Sequence, residues 1–278
     1  MRQSVLKRFM KRKIAVLGAV IIVLFVFMAL VGPYLCAYDP LDIDVLNKYQ
    51  SSSREHLLGT DNLGRDTLTR LVYGARITFI ISVTSVFIGS LIGMIFGVIA
   101  GYFGGKTDAV IMRATDVLLA FPGLLLAIAI VAILGTGIIN TIIAIAIFSI
   151  PYLARIVRGS VLTIRNSEYI HAAKVIGASH LRTIIFHIVP NSLSQVIVNT
   201  TLNLGTAILT SSALSFLGLG VQPPDPEWGA MLSKAREVMR STPIAALAPG
   251  IAITLVVMGF SLMGDGLRDA LDPRSRND

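Results

Sequence analysis

Cysteine, histidine and charge are all scarce in this sequence. A single cysteine, Cys36, leaves no internal disulfide and no cysteine-built metal cluster. It follows Leu35, where a lipoprotein signal has a small residue, and so reads as structurally neutral. The four histidines, His56, His171, His180 and His187, show no H-E-x-x-H spacing, and no serine sits in a G-x-S-x-G elbow. The sequence therefore offers no catalytic residue and no metal site. Charged residues make up 14% of the chain against 54% hydrophobic, where soluble domains carry roughly 25% charge. With a mean hydropathy of +0.75, this balance excludes an ordinary soluble domain and points to an integral membrane protein. The formal net charge of +8 invites a nucleic-acid partner, but the basic residues form no single patch with interleaved aromatics, so none is expected. Gly101-Tyr-Phe-Gly-Gly-Lys106-Thr107 looks like a phosphate loop, yet Ala100 stands where the Walker pattern needs its first glycine.

Long apolar runs are what the chain has instead. Six occur, at Ile14–Tyr34, Ile77–Ala100, Ile111–Leu134, Ile138–Val157, Leu193–Leu217 and Ala246–Met263, each near the ~20 residues that cross ~30 Å of hydrocarbon as a helix. The expected fold is all-α, a polytopic membrane protein with six transmembrane helices. The first run is too long for the ~7–15-residue core of a signal peptide, so it should remain as a span surrounded by membrane lipid. Arg2, Lys7, Arg8, Lys11, Arg12 and Lys13 precede it; Arg155, Arg158, Arg165, Lys174 and Arg182 fall at the shared side of the fourth and fifth runs; Arg268, Arg274 and Arg276 follow the sixth. The positive-inside rule then places both termini in the cytoplasm. Pro122 kinks the third run, or Phe121-Pro122-Gly123 divides it into a short cytoplasmic helix and the span proper.

Two segments fall outside. Residues 36–76 are close to neutral, and turn formers at Gly59, Asp61, Asn62 and Gly64 fit either a compact cap or a solvated loop. Residues 218–243 contain Gln222-Pro-Pro-Asp-Pro-Glu-Trp-Gly229, a stiff stretch whose Trp228 suits the membrane boundary or a packed joint against the first loop. In the fifth run Gln195, Asn199, Asn203, Thr206 and Thr210 recur every three or four residues and share one helical face. That face lines a translocation path for polar cargo, or it holds spans together by interhelical hydrogen bonds.

The most informative stretch is EYIHAAKVIGASHLRTIIFHIVPN at 168–191, a polar loop between two runs. Ala172, Ala173 and Gly177 are expected near one face of a helix reaching from Tyr169 to His180, open to close approach by a partner, with Pro190 stopping the helix before the next span. The spacing A-A-x-x-x-G-x12-P resembles the EAA loop of the membrane subunits of bacterial ABC importers. Together with HLLGTDNLGRD at 56–66, AGYFGG at 100–105, SFLGLGVQPPDPEWG at 215–229 and MGDGLRDALDP at 263–273, it makes the chain similar over nearly its whole length to the second, C-type permease subunit of dipeptide, oligopeptide and nickel importers. His171 departs from the EAA pattern, which has glutamate there; Glu168 lies one turn earlier.

The resemblance implies a type I ABC importer permease fold in the bacterial inner membrane. It divides the chain into a basic N-terminus (1–13), a first span (14–35), an outer loop (36–76), a five-helix core (77–265) containing a coupling loop (159–190), and a cytoplasmic tail (266–278). It implies that Glu168, Ala172, Ala173, Gly177 and Ala178 couple the permease to its ATPases. The expected partners are a homologous second permease, two ABC ATPase subunits and an extracytoplasmic substrate-binding protein. The chain itself has no cofactor; ATP and Mg belong to the ATPase subunits. Peptides are the favoured cargo, with nickel, a metallophore or glutathione as alternatives. A different class, an ion-coupled carrier, would bury ionisable groups mid-membrane, whereas Asp108, Arg113, Asp116 and Asp265 lie near the ends of the runs.

Overall fold

The computed structural model describes residues 5–271. Arg2, Arg274, Arg276 and the Asp272-Pro273 end of the last motif lie outside the described residues, as does the side chain of Lys174. The described elements are helical throughout: α1 (Val5–Lys11), α2 (Lys13–Leu35), α3 (Thr67–Phe103), α4 (Gly105–Leu119), α5 (Gly123–Leu134), α6 (Ile138–Arg165), α7 (Glu168–Val175), α8 (His180–Thr183), α9 (Val189–Phe216), α10 (Trp228–Ala235) and α11 (Ile244–Leu271). Four of them, α2, α3, α6 and α11, are long and apolar enough to cross a membrane, and so is the continuous segment His180–Phe216. The helices α4 and α5 pass the same test together as a pair bent by 90° at their junction, a sixth candidate crossing when the bent pair is counted as one span. The break lies where Pro122 withholds an N–H and Gly123 restarts the helix. Only 12 residues long, α5 spans about 18 Å.

The tightest packing joins α3 to α6 through glycines spaced every fourth residue: Gly89, Gly93, Gly97 and Gly101. A Cβ at Gly97 would stand 2.6 Å from the Ala154 carbonyl oxygen, and one at Gly93 would stand 2.7 Å from that of Ile150. Gly89 meets Ser149 and Ala146 in the same way, and Gly101 meets Val161. Without side chains on this stripe the two backbones approach closely, which is how helices associate where lipid removes the hydrophobic drive. The seam ends in a cluster of Val98, Tyr102, Leu153, Val157, Val161, Ile170 and Ile188. A second cluster joins α2, α3, α9, α10 and α11 through Ile22, Phe79, Ile208, Trp228 and Phe260.

Two expectations require correction. Pro190 does not stop a helix, because it sits at the start of α9 inside a continuous helical run. The preceding five residues, Ile184–Ile188, form a π turn, and the wider turn accommodates a residue that cannot donate to the ladder. The second span also begins earlier than its apolar run, at Thr67, because Asp66 caps α3 by accepting a 2.7 Å bond from the Thr69 amide.

Outside the spans, residues 56–66 form a compact cap. Asp61 accepts from the Leu63 amide at 2.8 Å and from Arg65 Nε at 2.8 Å, and it faces Arg70 Nε at 3.3 Å. Gly64 adopts φ +77, and a side chain there would collide with the Asp44 backbone. Arg70 ties the cap to the second outer segment by donating to Pro40 O at 2.7 Å and Pro224 O at 3.4 Å. Trp228 is fully buried rather than at a membrane boundary: its Nε1 donates to Leu71 O at 2.9 Å, and Phe25 meets its ring edge-on. Beside it the Glu227 carboxylate, also fully buried, caps α10 through the Ala230 amide at 2.9 Å and takes weaker bonds from Thr78 and Ser212. Burial pushes this carboxyl above its ordinary range.

Two outcomes are expected. Gly97→Leu should cost about 1–3 kcal/mol and lower the thermal midpoint in detergent, while Ile95→Leu on the exposed face leaves it near the parent; an unchanged midpoint in Gly97→Leu contradicts the seam. Because Glu227 binds its proton more tightly folded than unfolded, stability falls as pH rises above the unfolded value of about 4.3. Glu227→Gln should flatten that fall, and an equally steep pH profile in the variant would be evidence against it.

Candidate functional site

The polar loop is held at the base of the α3–α6 seam. Arg165, the last residue of α6, donates to Tyr102 O at 2.9 Å and Gly101 O at 3.3 Å. Ser167 O then receives the amides of Ile170 and His171, starting α7. This helix turns Ile170, 0% exposed, and Ala173 into the protein, and leaves Glu168, His171 and Ala172 in the open. It ends at Val175, earlier than expected. Gly177 takes φ +83, and the Ala178 amide closes back on Ala173 O at 3.0 Å, the bond pattern of a glycine-terminated helix. Gly177 is thus the residue that stops the helix, and no single helix reaches from Tyr169 to His180. Ser179 caps the next turn, accepting from the Arg182 amide at 3.3 Å.

The expected small-residue face is accordingly divided. Ala172 and Gly177 face solvent, Ala178 is half-buried and Ala173 faces the core. What the loop presents most prominently is large and apolar: Val175 and Ile176 are 87% and 84% exposed, and Leu181 and Phe186 are exposed too. The sequence signal was available, since apolar residues inside a polar loop mark a surface suited to contact with a protein or a membrane.

On α9, Gln195 and Thr206 are exposed, Asn199 and Asn203 half-buried and Thr210 buried. The Asn199 amide donates to Gln195 O at 2.8 Å and the Thr210 hydroxyl to Thr206 O at 2.9 Å, both within the helix. A cross-helix bond is made by a neighbouring residue instead, where Thr200 meets Ser90 at 3.1 Å. At the opposite end of the molecule, a cavity of about 540 Å³ opens between the cap and the 218–245 segment, lined by Leu63, Arg70, Val221, Asp225 and Lys234 among others. Among the described residues no group of three His, Cys, Asp or Glu side chains is placed to hold a metal ion.

The model of the binding-protein-dependent transport system inner membrane component matches residues 89–277. The chain belongs to this family. It is a multi-pass inner-membrane permease component of an ABC importer. Residues 1–51 also match the N-terminal transmembrane domain of oligopeptide transport permease C, so the permease is of the C type. It is 48% identical over 271 residues to the dipeptide transport system permease protein DppC of Alkalihalophilus pseudofirmus, covering 98% of this chain and 89% of the relative. It is 46% identical over 274 residues to the glutathione transport system permease protein GsiD of Pectobacterium atrosepticum, covering 98% and 90%. The fold resembles that of the MetNI methionine ABC transporter, with a TM-score of 0.61 and 18% identity over 73% of this chain and 96% of that one. An amino acid ABC transporter gives a TM-score of 0.56 at 16% identity, over 72% and 94%. Family membership sets aside the ion-coupled carrier.

The turn at Gly177 generates a prediction for this permease. Gly177→Val should strain the positive-φ turn by about 1–3 kcal/mol and speed hydrogen exchange at the Ala178 amide, whereas Gly177→Asn should stay near the parent; equal exchange in both variants would show that φ there is not limiting.

Proposed function

We propose that this permease forms half of a translocation pathway for short peptides, working beside a homologous second permease. The observation that carries the coupling part is the exposed apolar surface of Val175, Ile176, Leu181 and Phe186 on a loop bolted to the ends of α3 and α6. Two ATPase subunits, which bind ATP and Mg, supply the work; one docks over this surface, with Glu168, Ala172, Gly177 and Ala178 at the contact and Ala173 anchoring α7 from below. The loop's end of the molecule carries Lys7, Arg8, Lys11, Arg12, Arg165 and Arg182, and this surplus supports a cytoplasmic orientation for the loop and both termini. An extracytoplasmic binding protein delivers cargo at the opposite end, near the cap.

The exposed Gln195 and Thr206 and the half-buried Asn199 and Asn203 support a pathway lining, with Thr210 closing it at the buried end. Polar groups facing outward from a spanning helix need water or another protein over them. A lining of amides and hydroxyls matches the donors and acceptors of a peptide backbone without selecting side chains. The dipeptide and glutathione relatives both support this cargo class, because glutathione is itself a short peptide. Transport follows from two states: ATP binding closes the ATPase pair, the docked loops move with it, and the spans rock to open the path on alternate sides.

Purification of the tagged chain from native membranes should recover a second permease and Walker-motif ATPases, and Gly177→Trp should lose the ATPases and abolish peptide uptake with membrane insertion intact. Uptake unchanged in that variant, or uptake that survives ATP depletion, would overturn the coupling assignment.

A further inference from the structure

Besides its backbone contacts with Arg165, the AGYFGG segment at the inner end of α3 touches the coupling loop through the Tyr102 side chain. Tyr102 is only 6% exposed although it lies one residue from the end of its helix. Its hydroxyl meets His180 Nδ1 at 3.0 Å, across 78 residues of sequence. The Tyr102 and His180 rings meet edge-on with centroids 5.7 Å apart, and Phe103 lies against the same imidazole at 6.1 Å. Arg165 holds the carbonyl of Tyr102 from the other side, and Gly101 lets Val161 approach the same turn. The end of α3 is therefore gripped between α6 and the loop.

The loop is covalently joined to α6 and α9, so movement reaches those helices through the chain. It reaches α3 only through space. With 37 residues, α3 runs about 55 Å, and its far end holds the outer cap and the second outer segment through Arg70 and the Leu71 carbonyl. We propose that Tyr102 and His180 form a positioning latch that transmits movement of the coupling loop into α3, and along it to the cap on the opposite face. The proposal rests on the coupling reading of the loop. The hydrogen bond sets the register between loop and helix, while the ring contacts with Phe103 keep it from sliding.

The test uses the complete transporter in proteoliposomes, with peptide transported per ATP hydrolysed as the readout and subunit stoichiometry measured on the same preparation. Tyr102→Phe, which keeps the ring and removes the hydroxyl, should lower the ratio about five-fold, the equivalent of one lost hydrogen bond, with all subunits retained. His180→Leu should do the same, the double variant should be no worse than either single one, and His180→Asn, which keeps a polar atom near the Nδ1 position, should restore most of the ratio. An unchanged ratio in Tyr102→Phe, or additive losses in the double variant, would overturn the latch. Failure of the underlying reading looks different: Gly177→Trp would then keep its ATPases and its uptake.

Discussion

The close approach of α3 and α6 is the constraint on which the rest of the permease depends. Four glycines at every fourth position bring carbonyl oxygens of α6 within contact of the α3 axis, and a bilayer offers no hydrophobic penalty that would force these helices together otherwise. At the inner end the seam aligns Arg165 with the last carbonyls of α3, giving the loop a rigid floor into which Ile170 inserts. At the outer end α3 continues past the seam to Thr67, where the Asp66 cap starts it and Arg70 and the Leu71 carbonyl meet the second outer segment.

The two polar ends are built differently because they do different things. The outer one pairs several of its buried charged groups internally: Asp61 takes Arg65, Asp66 takes His56, and Glu227 takes an amide and hydroxyls. Such a closed network holds shape. On the inner side α4 is pinned to α6 by Asp108 with Arg158 and by Asp116 with Arg155, but the loop beyond them leaves large apolar side chains in the open. An exposed apolar surface of that kind suits contact with a partner, which is why the proposed docking falls at this end.

Much was legible in the sequence because membranes impose coarse rules. The number of apolar runs, the sign of the flanking charge and the polar loop between the fourth and fifth runs follow from transfer energies that act residue by residue. The tandem Ala172-Ala173 and the later Gly177 were visible as small residues, but their roles were not. Whether a glycine lies on a helix face or ends the helix depends on φ, which spacing does not report. Pro190 misled for a similar reason: the π turn before it lets the helical run continue through the proline. The glycine stripe on α3 was present in plain sequence, and was missed because the run reads first as a span and only second as a packing face.

By itself the sequence determined that this protein crosses a membrane about six times, with most of its basic residues at one side, and that a long polar loop lies between the fourth and fifth runs. Those properties follow from composition along the chain, which the bilayer reads locally. Tertiary structure alone decided that Ala173 faces inward while Val175 and Ile176 face outward, and that Tyr102 meets His180. Each of these depends on which helix faces are brought together and on the backbone angle at single residues, and neither quantity is set until distant segments pack.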